Sequence, residues 1–130
     1  MQMNPHIIHI GFPLDHPEIP VDDRPIIAKR LADLTERMRS LGYVYEIHHA
    51  SPETGLADFA QRLKSAPCHA VLIGGGVAGN PAMSYFMEQI IDVAHTHAPQ
   101  AKILFYNHID TPEVIIGRWL PVSGASGQWS

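Results

Sequence analysis

The chain has 130 residues, of which 45% are hydrophobic and 17% charged, and its net charge is −4 with histidine neutral. This length and composition are typical of a single soluble domain with a substantial core. The negative charge argues against a broad nucleic-acid-binding surface, and every apolar run falls far short of the ~20 residues that span a membrane.

Two features bear on the compartment. The first residues lack the basic and then apolar order of a secretory signal peptide. Cys68 is the only cysteine, which excludes a disulfide within this sequence and fits a reducing compartment. We therefore expect a cytoplasmic protein in which Cys68 is an inert thiol.

The first part of the chain predicts a strand, a long loop and a helix. Residues 6–12 are an apolar strand, and the proline- and aspartate-rich loop 13–24 follows it. A helix is predicted over 25–41 because apolar residues recur at helical spacing, and Gly42 stands where helices favour glycine. The recurring residues are Ile27, Leu31, Leu34, Met38 and Leu41.

The middle of the chain repeats this order. Residues 43–49 predict a second strand. The sequence Ser51-Pro52-Glu53 is a capping residue followed by proline, so it predicts the start of a second helix. The apolar face of that helix runs from Leu56 to Leu63, and residues 69–74 predict a third strand.

The last part completes the alternation. A third long helix is predicted over 81–97, a fourth strand over 102–107 and a short helix over 111–119. Residues 121–130 are small and polar, which predicts a flexible tail. The sequence thus predicts one α/β domain over 1–120.

Strands that alternate with helices predict a parallel sheet with helices on both faces. The expected fold is a three-layer αβα sandwich of the Rossmann or flavodoxin type. Its sheet has four, or at most five, strands in the order 2-1-3-4. Ligands of such sheets bind beyond the carboxyl ends of the strands, where the strand order reverses. We therefore expect a site between strands 1 and 3.

The glycine-rich segment after the third strand is the strongest indication of that site. Gly74, Gly75 and Gly76 permit close backbone approach, and Asn80 followed by Pro81 is a strong helix start. Convergent backbone N–H groups suit a small polar or anionic molecule. Gly74, Gly75, Gly76 and Asn80 are accordingly predicted to bind the ligand.

The glycine spacing does not predict a nucleotide cofactor. Gly74, Gly76 and Gly79 match the dinucleotide-binding spacing, but they follow the third strand instead of the first. No acidic residue ends the next strand, where a ribose ligand is expected. A phosphate-binding P-loop is excluded because no Gly-Lys-Ser/Thr follows, so the cofactor stays unknown.

Polar residues at the ends of the other strands complete the predicted site. Asn107 and His108 follow the fourth strand, His48 lies at the end of the second, and Asp15 and His16 lie in the first loop. Histidine titrates near neutral pH, so His108, with His16 and Asp15, is predicted to act in acid–base catalysis. Asn107 and His48 are predicted to bind the ligand.

These residues also allow other interpretations. Asp110 could fix the tautomer of the His108 ring or cap the last helix. A metal site built from His16, His48 or His49, His108 and Asp110 is conceivable, but no compact ligand motif supports it. We therefore expect no metal.

Four segments between Ala70 and Leu120 form a recognisable pattern. They are Ile73-Gly74-Gly75-Gly76-Val77, His95-Thr96-His97-Ala98-Pro99-Gln100-Ala101, Phe105-Tyr106-Asn107 and Arg118-Trp119-Leu120. In these segments the chain resembles an uncharacterised family of small bacterial Rossmann-like α/β proteins. The resemblance implies the fold and the glycine loop, and it brings no activity. Relatives often carry arginine where this chain has Ala78, which argues against a strong anion clamp.

The leading hypothesis is a protein that binds a small polar or anionic molecule at the carboxyl edge of the sheet. If the protein is an enzyme, this hypothesis assigns the acid–base chemistry to histidine. The alternative is a regulatory or partner-binding module without catalysis. We also expect a homodimer, because some apolar side chains exceed what a four-stranded sheet can cover. They are Tyr85, Ile91, Val114, Ile115, Ile116 and Trp119.

Overall fold

The computed structural model of the protein describes residues 4–122, in which four strands alternate with helices. Residues 123–130, most of the predicted tail, lie outside this range. No helix within residues 4–122 combines the length and the apolar character that a bilayer crossing requires. The strands are β1 (His6–Gly11), β2 (Val44–His49), β3 (Ala70–Ile73) and β4 (Lys102–Phe105). The helices are α1 (Arg24–Ser40), α2 (Leu56–Ser65), α3 (Gly75–Ala78), α4 (Ser84–His97) and α5 (Pro112–Gly117).

The described strands form one parallel sheet in the order β2-β1-β3-β4. The register places Ile10 of β1 opposite His48 of β2 and Ile73 of β3. The predicted α/β sandwich and its strand order are therefore confirmed. The order reverses between β1 and β3, which brings the loop after β1 next to the glycine segment after β3.

Two hydrophobic cores cover the two faces of the sheet. α2 and α4 pack on one face around Phe59, Phe86 and Ile90, and α1 and α5 pack on the other around Met38 and Ile116. All four residues of β3 are buried, as expected for an inner parallel strand covered on both faces. The second core extends to Val122, which is also buried.

α1 forms as its apolar spacing predicts. Leu34 and Met38 are buried, and Pro25 lies in the first turn, where its missing N–H costs no hydrogen bond. Gly42 follows the helix with a φ of +107°, a conformation that glycine adopts without strain. The predicted helix and its glycine stop are confirmed.

The predicted start of the second helix at Ser51-Pro52-Glu53 is wrong. Ser51 and Thr54 exchange backbone hydrogen bonds of 2.8 and 3.2 Å, and the Ser51 Oγ accepts from the Glu53 N–H, so the segment is a tight turn. α2 begins only after Gly55, whose φ is +100°. A Cβ at Gly55 would lie 2.8 Å from the Ala50 Cα, so the turn requires glycine there.

The glycine segment is more regular than predicted. Gly75–Ala78 forms one helical turn, α3, where a loop was expected. A 3-10 turn at Pro81–Met83 then leads into α4, which begins at Ser84. Asn80 is the predicted cap, because its side-chain oxygen accepts from the Ala82 N–H at 3.0 Å. The glycines therefore join β3 to a helical turn with almost no intervening chain.

The carboxyl-terminal segment packs as an extension of α5. Thr111 caps the helix by accepting from the Val114 N–H. The helix ends at Gly117, two residues before the predicted end, although the N–H groups of Trp119 and Leu120 still donate to the Ile116 carbonyl. Ile115 and Ile116 are buried, so they are core residues and leave no apolar surface.

Candidate functional site

A cavity of about 270 Å³ lies between the loop after β1 and the α3 turn. It is at the carboxyl edge of the sheet, where the strand order reverses, as the fold predicts. One group of lining residues is apolar: Phe12, Ile19, Pro20 and Ile27. A second group is polar or offers bare backbone: Glu18, Gly75, Gly76, Gly79 and Asn80. Three of the predicted ligand-binding residues, Gly75, Gly76 and Asn80, therefore line this cavity.

The wall formed by α3 depends on the absence of side chains. A Cβ at Gly76 would lie 3.3 Å from the ring of Phe12, so this glycine packs directly on the opposite wall. The N–H groups of Gly75 and Gly76 belong to the first turn of the helix, where no intrahelical carbonyl can accept from them. The wall can therefore offer backbone donors to a small ligand.

Arg24 fixes the loop that forms the other wall. Its guanidinium donates to the backbone carbonyls of Ile19, Asp15 and His16 at 3.2 to 3.4 Å. Asp15 itself is exposed, and its backbone carbonyl makes this contact. The loop is longer than most strand-to-helix connections. These three hydrogen bonds hold it in a defined conformation.

His16 supports the cavity through both ring nitrogens. Its ring stacks on Phe12 with centroids 4.6 Å apart. The Nδ1 atom accepts from the Glu18 N–H at 3.1 Å, so the neutral ring carries its proton on Nε2 and donates it to Glu53 at 2.9 Å. The hydrogen bond from His16 also lowers the pKa of the Glu53 carboxyl. Catalysis by His16 would require one of these bonds to break.

Asn80 connects the two walls. Its Oδ1 caps the turn after α3, and its Nδ2 donates to Glu18 Oε1 at 3.4 Å. Glu18 is exposed and was not singled out by the sequence. It is the one charged residue among those that line the cavity.

His108 lies against the glycine segment on another side. Its ring occupies the position where a Cβ at Gly75 would be, and it packs edge-on against Tyr106 with centroids 4.7 Å apart. His108 is not among the lining residues of the cavity. Its φ of +62° is rare for a residue other than glycine, so the surrounding turn must hold it.

The side chain of Asn107 makes that turn. Its Oδ1 accepts from the N–H groups of Ile109 and Asp110, both at 2.9 Å, and its Nδ2 donates to the Asp110 carboxylate. Asp110 also pairs with Arg118 at 3.5 Å. Within residues 4–122 the Asp110 carboxylate therefore binds Asn107 and Arg118 and makes no hydrogen bond to the His108 ring, so the predicted contact does not form.

The remaining predicted residues lie apart from the cavity. The ring of His48 packs against Phe59 of α2 with centroids 5.5 Å apart, and its Nε2 is buried without a partner among residues 4–122. Gly74 faces His9 and does not line the cavity. Across the described chain, no three histidine, cysteine, aspartate or glutamate side chains converge as a metal-binding group.

A buried polar pair lies beneath Gly74. His9 Nδ1 and the Tyr45 hydroxyl are 2.7 Å apart, and His9 Nε2 lies 3.3 Å from the position of a Cβ at Gly74. Burial, and to a smaller extent the charge of His49, lowers the pKa of His9 to about 4. Burial also raises the pKa of the Tyr45 hydroxyl well above its usual range. Both groups are therefore neutral, and the phenol, as the better donor, donates to Nδ1.

Sequence reasoning did not identify Ile27 and Glu18, which line the cavity, or His9, which packs beneath Gly74, and the reasons differ. Ile27 belongs to the apolar stripe of α1, and its position on the cavity depends on how the preceding loop folds. Glu18 stands among several carboxylates of that loop. His9 looks like an ordinary strand residue, and only its pairing with Tyr45, 36 positions away, distinguishes it.

The neutral state of His9 predicts an acid-sensitive fold. Its folded pKa of about 4 is below the ordinary 6.5, so the unfolded chain takes up the proton first as the pH falls. The stability that His9 provides is complete above pH 6.5 and is lost toward pH 4, by roughly 3 kcal/mol at most. Urea unfolding at several pH values should show a flatter dependence in His9→Gln than in the parent. The exposed His95→Gln variant is the control, and equal slopes in the parent and His9→Gln would refute the prediction.

The contact between Gly75 and His108 predicts a coupled pair of variants. Gly75→Ala should lower the free energy of unfolding by about 1–3 kcal/mol, because the new methyl group overlaps the His108 ring. In a His108→Ala background the cost should be much smaller. Gly11→Ala is the matched control, since a Cβ there meets nothing within 4 Å. A cost that is the same in both backgrounds would contradict the contact.

Comparison of the chain with protein-family profiles, curated proteins and solved structures gives no match. The family indicated by the sequence motifs stays a resemblance, and the geometry of the site is what bears on function.

Proposed function

We propose that the protein binds a small polar molecule in the cavity between the loop after β1 and the α3 turn. The observation that carries this proposal is the cavity itself, which occupies the reversal point of a parallel sheet and has bare backbone on one wall. The first-turn N–H groups of Gly75 and Gly76 are suited to donate to an acceptor on the ligand. The apolar residues opposite would cover the rest of the molecule.

The geometry favours binding over histidine acid–base catalysis. Both nitrogens of His16 are engaged within the protein, and His108 packs on Gly75 outside the lining of the cavity. The same observation favours the second candidate, a regulatory module that binds its ligand without transforming it. His108, His16 and Asp15 stay predicted catalytic residues, and a change of turnover or affinity in His108→Ala would support that role.

Two variants of adjacent residues on α1 test the proposed site. Ile27 lines the cavity, whereas the side chain of Ile26 is largely exposed. Ile27→Trp should fill the cavity and abolish binding of small polar fragments, detected by shifts of the Gly75 and Gly76 amide signals in 15N-edited NMR spectra. Ile26→Trp makes the same change on the solvent side and should bind as the parent does. Fragments that bind both variants equally would refute the site.

We also propose that the protein works in a reducing compartment, the cytoplasm. Cys68 is buried, and its Sγ donates to the Ala70 carbonyl at 3.3 Å. Burial raises the pKa of its thiol to about 11, which suppresses the reactive thiolate at neutral pH. These observations support an inert cysteine and assign it no catalytic part.

A homodimer is the third part of the proposal. Val114 and Trp119, on and just after α5, are 50% and 54% exposed, and Tyr85 on α4 is 72% exposed. Large exposed apolar side chains of this kind are common at interfaces between subunits. Of the apolar residues counted for this expectation, Ile115 and Ile116 drop out because they are buried.

The dimer has a direct test. Sedimentation equilibrium at micromolar concentration should give twice the chain mass of 14.4 kDa. Val114→Glu replaces one of these exposed apolar side chains by a charge and should shift the equilibrium toward the monomer. Val21→Glu changes another exposed valine, in the loop after β1, and should leave the mass unchanged. A parent protein that sediments as a single 14.4 kDa species would contradict the dimer.

A further inference from the structure

We propose that the ligand of this cavity is a primary amine on a small apolar body, and that the Glu18 carboxylate binds its protonated nitrogen. This inference rests on the proposed function and adds the charge and size of the ligand to it. It is carried by the lining of the cavity, by the charges of the loop after β1 and by the volume of the cavity.

The lining contains one charge, and that charge is negative. Glu18 is the only ionisable residue among the lining residues, and the other polar side chain is the amide of Asn80. No lysine or arginine lines the cavity to hold an anion. The Asn80 Nδ2 to Glu18 Oε1 distance is 3.4 Å, long for a hydrogen bond, so the carboxylate keeps capacity for a stronger donor.

The loop that forms one wall of the cavity carries further negative charge. Asp15, Asp22 and Asp23 belong to the same loop as Glu18, and all three are exposed. Arg24, at the start of α1, donates to three backbone carbonyls of the loop and so turns its guanidinium toward the loop itself. A loop rich in carboxylates raises the local concentration of cations and disfavours anions. The sequence predicted a ligand that is either polar or anionic. The negative charge of the loop favours a polar ligand that carries a positive charge over an anionic one.

The volume limits the body of the ligand. Pockets for drug-sized ligands span about 300–1,000 Å³, and this cavity is slightly smaller. Phe12, Ile19 and Ile27 supply an apolar surface for a body of about one ring. The N–H groups of Gly75 and Gly76 can donate to one acceptor on the same molecule. The positive charge of the amine, which Glu18 binds, defines the chemical class of the ligand.

Three probes of similar size test which charge the cavity prefers. Benzylamine, benzyl alcohol and benzoate share one ring and differ in the charge of a single group. In NMR titrations at neutral pH and low salt, benzylamine should bind most tightly and benzoate least, with shifts at the amides of Gly75, Gly76 and Gly79. Glu18→Gln should weaken benzylamine about tenfold and leave benzyl alcohol unchanged, because only the amine loses a charge-assisted hydrogen bond.

Asp22→Asn is the matched control. It removes one carboxylate from the same loop, but Asp22 does not line the cavity, so benzylamine should bind this variant nearly as it binds the parent. Thermal unfolding of both variants should match the parent, which excludes loss of the fold as the cause.

The outcomes distinguish a wrong ligand class from a wrong site. If benzoate binds as tightly as benzylamine, or if Glu18→Gln leaves benzylamine unaffected, the amine class is wrong while the cavity remains the site. If none of the three probes moves the glycine amides, the cavity does not take molecules of this size, and the proposed function fails together with the inference.

Discussion

The close packing around the end of β3 is the constraint on which the rest of the structure depends. Three consecutive positions lack side chains, and each faces a different neighbour. Gly74 packs on the Ile10 carbonyl and on His9, Gly75 on His108 and Gly76 on Phe12. Any side chain would push one of these neighbours away. The central strand can therefore pass directly into a helical turn while three other segments converge on it, and the cavity is the space that remains.

The fold was predictable because its signals are local and repeated. Apolar spacing in α1, the buried run of β3 and the caps at Asn80 and Thr111 each specify an element without reference to distant residues. The Ser51-Pro52-Glu53 signal failed because a serine oxygen that accepts a nearby N–H stabilises a tight turn as readily as a helix start. Only the contact of Gly55 with Ala50, which needs the folded chain, decides between these two structures.

The site was predictable to a smaller extent. Its glycine wall and Asn80 follow from the sequence, because the position of a site in a parallel sheet follows from strand order. The roles of the histidines could not be predicted from the sequence, because the role of an imidazole depends on which groups hydrogen-bond to its nitrogens. His16 finds Glu53 across 37 positions, and His9 finds Tyr45 across 36. Residue type alone indicates that a histidine can titrate, and the partners decide whether it is free to do so.

The all-parallel sheet also determines when the chain can fold during synthesis. The core between the sheet, α2 and α4 contains residues up to Ile103, whereas the core under α1 needs Leu104, α5 and Val122. Two hydrogen bonds link distant parts of the chain at that second core. They join Arg37 to Glu113 and Tyr43 to Leu120, over 76 and 77 positions. Contacts of such long range form late, because the chain between them must be ordered first. The buried face of α1 is therefore fully covered only after the chain through Val122 has been made.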